Sequence, residues 1–301
     1  MKRILFIVNG AKKQSKKLRT ILAFFSNHTF FSKVEVVITR YSGHATIITK
    51  ENVSTFDYII AVGGDGTLNE VINGIDLSSK VITGLLPYGT GNDFSRGQEL
   101  QFDAHFLFNL IKNDSYKSID LGIVKGLDKK TVLKKRFVNI ADIGLGGFVT
   151  QAILKQNTRF ISGKVKYALA ILRGIIQYSK PELKVDGDYM FNGKILTLAI
   201  CNGPYFGYGL CIAPKANIHS NTLNITNIGN VSLLDYFKNL GRIKRGEMIK
   251  HPEVHYDTVR SIDVYHNDRP CPIEIDGEFI GYTPVRIQIL PQKLKFLLPV
   301  K

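Results

Sequence analysis

Over roughly the first 112 residues, short apolar runs alternate with polar stretches of helical spacing, and this rhythm constrains the fold more than any other feature of the chain. Arg3 to Val8 is followed by Ser15 to Phe25, Val34 to Thr39 by Gly43 to Lys50, Asp57 to Val62 by Leu68 to Asn73, and Val81 to Leu86 by Asp103 to Lys112. That succession predicts βαβ units and a mainly parallel sheet. From about Ser118 the pattern becomes strand-rich: Arg136 to Ile143, Lys194 to Asn202, Thr222 to Ile228, Ser261 to His266, Cys271 to Ile275 and Thr283 to Leu290. Antiparallel sheet is predicted there, interrupted by helical stretches from Phe148 to Tyr178, with a break at Ser162 and Gly163, and from Leu233 to Leu240.

The change of period near Asp120 divides the chain. Residues 1–120 form an α/β domain whose last strand residues 291–301 can complete, and residues 121–290 form a β-rich domain. At 301 residues, two domains are more natural than one. Lys and Arg exceed Asp and Glu, 40 against 25, so the partner is expected to be anionic: nucleic acid, a phosphorylated ligand or an anionic membrane. The apolar run Ile4 to Val8 is too short for a signal-peptide core, and no stretch of uncharged apolar residues is long enough to span a bilayer. Three cysteines without a CxxC suggest neither a disulfide framework nor a zinc ribbon, which fits a reducing cytoplasm. Lysine clusters at Lys12 and Lys13, Lys16 and Lys17, Lys129 and Lys130, and Lys134 to Arg136 lack interleaved aromatics or a nucleic-acid motif, so no nucleic-acid partner is expected.

Two loops carry the chemistry. After the strand Asp57 to Val62 come Gly63, Gly64, Asp65 and Gly66, and Thr67 opens a helical segment. Glycines at a strand-to-helix turn let a phosphate approach the backbone, and the free amides and positive end of the helix attract it. A second loop, Pro87 to Phe94, again follows an apolar strand and combines Gly89, Thr90, Gly91, Asn92 and Asp93. Walker A and an intact GxGxxG are both absent.

The eight residues Gly63-Gly-Asp-Gly-Thr-Leu-Asn-Glu70 resemble the signature of the diacylglycerol kinase-like lipid kinases; their first five are also shared with NAD kinases. Gly89 to Phe94 is similar to the lipid kinases' GTGNDF and not to the NAD kinases. Thr39 with Ser42 to Ala45, Ser118 to Gly122 and Asn139 to Gly147 resemble further family elements, so the likeness covers most of the chain. It implies a Rossmann-like three-layer α/β domain followed by an antiparallel β-sandwich-like domain, with ATP and Mg2+ as cofactors. It assigns ATP to Asn9, Gly10, Thr39, Gly63 to Glu70 (with Leu68 and Asn69) and Gly89 to Asn92. Asp65, Asp93 and Asp120, read as ends of consecutive strands, are expected to meet around catalytic magnesium.

Near the C-terminus an Asp-Gly turn sits between two strand-like runs in Glu274-Ile-Asp276-Gly277-Glu278. Such a turn is structural by default. The resemblance assigns Glu278 as the base that takes the substrate hydroxyl proton, with Asp65 as rival and Asp276 beside it. The implied activity is phosphorylation of diacylglycerol or a related lipid alcohol. NAD kinase is the nearest alternative, and a non-catalytic nucleotide-binding regulator the third. A peripheral enzyme at the inner face of the membrane is implied, and a homodimer is admitted; the basic, apolar segment Thr158 to Lys180 is a candidate for contact with an anionic leaflet.

Two places depart from the family pattern. The first strand runs into Asn9-Gly10-Ala11-Lys12-Lys13 where the family has an NPxSG-like loop, so Pro and Ser are missing. After Ala213 to Ala216, Ser220 stands where bacterial members often carry a magnesium-binding aspartate, with Asn217 and Thr222 at the carbonyl positions. A neutral hydroxyl is a poor ligand for a hard cation, so that accessory site is expected to be weak or empty.

Overall fold

A computed structural model describes residues 1–128, 133–155 and 178–299. Lys129 and Lys130, the break at Ser162 and Gly163, and nearly all of the basic segment from Thr158 onward lie outside them. The described chain forms two compact units, Met1–Ile119 with Pro291–Lys301, and Asp120–Leu290.

The first unit is built on a six-stranded sheet in the order β2-β1-β3-β4-β20-β5, made of Phe31–Ile38, Lys2–Val8, Tyr58–Gly63, Ile82–Pro87, Leu294–Leu297 and Tyr116–Ile119. β1 to β4 pair in parallel, as the βαβ rhythm requires. β1 and β3 are almost continuously apolar because helices cover both faces of the sheet. Helix α1 (Lys16–Ser26) presents Leu18, Ile21, Leu22 and Phe25 at helical spacing, and α5 (Ala104–Lys112) adds Leu107, Leu110 and Ile111. Both pack on Ile4, Phe6 and Val8, while α2 (His44–Asn52) and α3 (Asp65–Gly74) pack closely together.

The fifth strand departs from the expected arrangement. β20 pairs parallel with β4, but β5 pairs antiparallel with β20, Leu294 opposite Ile119. β5 therefore runs against β3 and β4, and Ile119, the residue before Asp120, lies at the edge where those strands begin. The loops bearing Asp65 and Asp93 emerge from the other edge.

The second unit is a sandwich of two six-stranded antiparallel sheets: β10 (Phe191–Lys194), β9 (Glu182–Gly187), β16 (Ser261–His266), β19 (Val285–Ile289), β6 (Gly122–Gly126) and β7 (Lys134–Phe137) in one, and β15 (Val254–Val259), β14 (Leu223–Ile228), β11 (Thr197–Cys201), β8 (Ile140–Gly144), β17 (Pro272–Ile275) and β18 (Glu278–Tyr282) in the other. Val124, Val185, Val264 and Ile287 from the first sheet meet Ala141, Ile143, Leu198, Ile225 and Ile273 from the second in one core. The apolar run Arg136 to Ile143 is not one strand: it divides into β7 (Lys134–Phe137) and β8 (Ile140–Gly144), which belong to different sheets. Helix α6 (Leu145–Lys155) covers the outer face of β8. Helix α7 (Leu233–Arg245) runs beyond the expected Leu240, tolerating Gly241, and stops at Gly246 in the left-handed region, φ 72°. Among the described residues no helix is long and apolar enough to cross a membrane.

Within β8, Asp142 is fully buried, with Oδ1 accepting from the Thr197 hydroxyl at 2.5 Å. Burial pushes its carboxyl up to about 6 from 3.8, against the pull of Thr197 and the Gly146 and Ile143 amides. A carboxyl raised on folding stabilises the fold below its unfolded value and loses that contribution as pH rises through the folded value. Relative to an Asp142→Asn variant, the parent is therefore expected to lose about 3 kcal/mol between about pH 4 and about pH 6.5. Denaturant melts of both proteins across that range check this, and parallel stability curves would refute it.

Candidate active site

In the first unit the two glycine loops are welded by one carboxylate. Asp65 Oδ2 accepts from the Asp93 amide and Oδ1 from the Phe94 amide, both at 3.0 Å, so Asp65 caps α4 (Asp93–Gly97). The Tyr88 amide donates to the Gly63 carbonyl at 2.7 Å. A Cβ on Gly89 would stand 2.3 Å from the Gly64 Cα, so glycine at both positions permits this approach. Asn92, in the left-handed region at φ 56°, closes the second loop: Oδ1 accepts from the Gly89 amide and Nδ2 donates to the Gly89 carbonyl.

The first loop joins the same surface. Asn9 donates through Nδ2 to the Thr67 hydroxyl at 3.0 Å and accepts from the Ala11 amide at 2.9 Å. The Gly10 amide donates to Thr39 Oγ1 at 3.0 Å, and a Cβ on Gly10 would lie 1.9 Å from the Thr39 carbonyl oxygen. Asn9, Gly10, Thr39 and Thr67 are thus brought together with the glycine loops, while Thr90 is exposed on the second of them.

Four residues expected to touch nucleotide spend their side chains within the scaffold. Leu68 is 0% exposed and Asn69 3%, both facing the interior as the helix pattern demands. Glu70 takes the Gly43 and Ala45 amides at 2.8 and 3.0 Å, so it anchors the start of α2. Asn92, as above, spends its amide on Gly89.

The expected aspartate trio also needs correction. Asp65 is partly exposed, and each oxygen keeps a lone pair beyond its amide bond. Asp93 is only 7% exposed. Asp120 is 0% exposed, follows the reversed strand β5, and accepts from the Asn221 amide through Oδ2 at 2.7 Å. It therefore anchors the Asn217 to Thr222 loop of its own unit. Among the described residues no three His, Cys, Asp or Glu side chains are grouped to hold a cation.

In the second unit, β17 (Pro272–Ile275) and β18 (Glu278–Tyr282) are joined by Asp276 and Gly277, at φ 48° and 88°. Two positive φ values define the hairpin turn that matches strand twist and favours Asp-Gly. Glu274 Oε2 accepts the Gly277 amide at 2.7 Å. Asp276 is not a candidate base: Oδ2 accepts from the Val138 amide, and Oδ1 from the Asn139 and Ile140 amides, all between 2.9 and 3.0 Å. These three amides lie where the run Arg136 to Ile143 changes sheets, so one carboxylate satisfies the backbone of that crossing. Glu278, the first residue after the turn, is half-buried and stands on a hairpin held from two sides.

The accessory loop does not fit a structural cation. The Ser220 hydroxyl lies within hydrogen-bond distance of the Asn217 carbonyl, 2.9 Å, and the Thr222 carbonyl, 3.0 Å, its one proton shared between them, so it occupies the position between the two carbonyls assigned to the metal. A Ser220→Asp variant is expected to gain a magnesium-dependent stabilisation of about 1.4 kcal/mol at ten times its dissociation constant, absent from the parent. Melting with magnesium or chelator, without nucleotide, reads the difference; a parent that loses a magnesium response on Ser220→Ala would contradict it.

Residues 3–124 match the diacylglycerol kinase catalytic domain, and residues 140–298 match the YegS C-terminal NAD kinase beta sandwich-like domain. The chain is 28% identical over 269 residues to a diacylglycerol kinase of Staphylococcus carnosus, covering 87% of this chain and 83% of the relative. It is 26% identical over 308 residues to a diacylglycerol kinase of Bacillus subtilis, covering 99% and 97%. Among solved structures, a diacylglycerol kinase from Bacillus anthracis superposes with a TM-score of 0.71 at 20% identity over 99% of this chain and 97% of that one. Yeast NADH kinase superposes with a TM-score of 0.55 at 10% identity over 99% and 84%, a likeness of fold alone. With catalytic-domain and sandwich-domain matches spanning both units, the chain belongs to the diacylglycerol kinase-like family of lipid kinases.

Proposed function

We propose that this lipid kinase uses ATP to phosphorylate the hydroxyl of diacylglycerol, yielding phosphatidic acid, or of a closely related lipid alcohol. The observation that carries the reading is the Asp65 bridge to the Asp93 and Phe94 amides, which joins two glycine loops into one surface inside the catalytic-domain match. The amides and the Thr90 hydroxyl bind phosphate oxygens, and Asp65 supplies the anionic ligand for magnesium. Magnesium, when bound with ATP, neutralises charge on the transferred phosphoryl group. Glu278 accepts the proton of the attacking hydroxyl, and the clamped Asp276–Gly277 turn holds it in place.

The substrate is a lipid, so the enzyme works at the inner face of an anionic membrane. The formal net charge of +15 favours that approach, and Leu234, Lys238 and Arg242 form an exposed stripe at helical spacing on α7.

The decisive experiment gives the purified protein labelled ATP and magnesium with mixed micelles of diacylglycerol, other lipid alcohols, or NAD. Label in phosphatidic acid supports the reading. Label in NADP would make it an NAD kinase, and nucleotide binding without transfer to any acceptor would make it a regulator.

A further inference from the structure

The family's first loop has lost its Pro and Ser here, yet the loop is not loose. Tyr88, one residue before Gly89, ties it down. Its hydroxyl donates to the Lys13 carbonyl and accepts from the Ser15 amide, both at 2.9 Å. Ser15 in turn caps α1 by accepting from the Leu18 amide. The Tyr88 ring stacks on Phe102 with centroids 5.2 Å apart at 29°. Lys17 lies over the Phe102 ring at 5.1 Å, and Lys12 over the Tyr88 ring at 5.1 Å. The Lys12 ammonium also donates to the Tyr88 carbonyl at 3.2 Å.

Two anchors thus hold a side chain that would otherwise sample many rotamers, and they hold its charge beside both glycine loops. Tyr88 precedes Gly89 in one loop, and its amide is bonded to Gly63 of the other. Neither residues 63–67 nor residues 89–92 contain a basic side chain. The only charged group in those two stretches is the Asp65 carboxylate, which repels a polyphosphate unless a cation offsets it. An ammonium has three donors, of which Tyr88 takes one.

We propose that Lys12, preorganised by Tyr88, is the protein's phosphate-neutralising cation for the nucleotide and takes over in this chain from the missing Pro and Ser of the first loop. The inference rests on the nucleotide-binding reading of the loops. Preorganisation lowers the entropy lost on binding, and a charged hydrogen bond to phosphate is among the stronger polar contacts.

A Lys12→Met variant keeps the aliphatic stem and removes only the charge. Equilibrium binding of ATP and of adenosine is measured for both proteins at low and high salt. The expected result is a Kd for ATP raised roughly tenfold or more, with adenosine unchanged and a shallower salt dependence for ATP; Lys12→Arg restores most of the ATP affinity. Equal loss of ATP and adenosine affinity would reduce Lys12 to a clasp of the loop, and unchanged ATP affinity would remove it altogether; both overturn the proposal. A parent protein that binds no ATP at all overturns the nucleotide reading together with it.

Discussion

Replacing Glu278 with glutamine is expected to lower phosphoryl transfer to the lipid hydroxyl by about a hundredfold or more while ATP affinity stays within about twofold. Glutamine preserves the size of the side chain and its place at the start of β18, and it removes the carboxylate that would accept the proton. A general base acts on kcat, because the proton moves in the transition state, whereas the proposed nucleotide loops lie in the other unit. The loss should diminish as pH rises and the acceptor hydroxyl ionises more readily without help. Initial rates against ATP and against lipid, taken at several pH values, check both statements. Undiminished turnover in the variant would remove Glu278 as the base and leave the family assignment standing.

The second large effect concerns stability. Asp276→Asn is expected to destabilise the Asp120–Leu290 unit by about 3 kcal/mol, since each unsatisfied buried amide costs about 1–3 kcal/mol. The asparagine oxygen can still serve the amides that Oδ1 serves, but its NH2 group faces a third N–H and repels it. For a unit of this size the melting point should fall by about 10 °C. Activity should fall with it because Glu278 loses its support, yet the pH dependence of the residual rate should keep the parent's shape, since Asp276 spends its oxygens on the Val138, Asn139 and Ile140 amides. A variant with an unchanged melting point would show that the amides of Val138, Asn139 and Ile140 find other acceptors at no cost.

Much of the architecture was legible because strand and helix periods are local properties. Alternation of apolar runs and helical segments marked the parallel strands β1 to β4, and Gly63, Gly64 and Gly89 marked positions where a side chain has little or no room. The reversed direction of β5 was not legible, since four residues carry no sign of which neighbour they will pair with; that pairing comes from Leu294–Leu297, far along the chain. Reading Asp120 as the end of a strand running with β3 and β4 missed that reversal. The division of Arg136 to Ile143 was hidden likewise, because an unbroken β-forming run gives no hint that Asp276 will take its central amides.

Returning to the rhythm of the first 112 residues, composition and spacing by themselves determined that this chain forms a parallel α/β unit with glycine loops at strand ends, followed by antiparallel sheets. They also determined that an Asp-Gly hairpin presents Glu278, because two-residue turns are chosen by residues that tolerate positive φ. Tertiary structure alone decided what each carboxylate does. Asp65 bridges two loops, Glu70 anchors a helix start, Asp120 and Asp276 hold distant backbone, and Asp142 is buried with a raised pKa. An aspartate in sequence is only a charge with two acceptor oxygens; the amides that reach it, from residues up to 138 positions away, settle whether that charge is structural or left for chemistry.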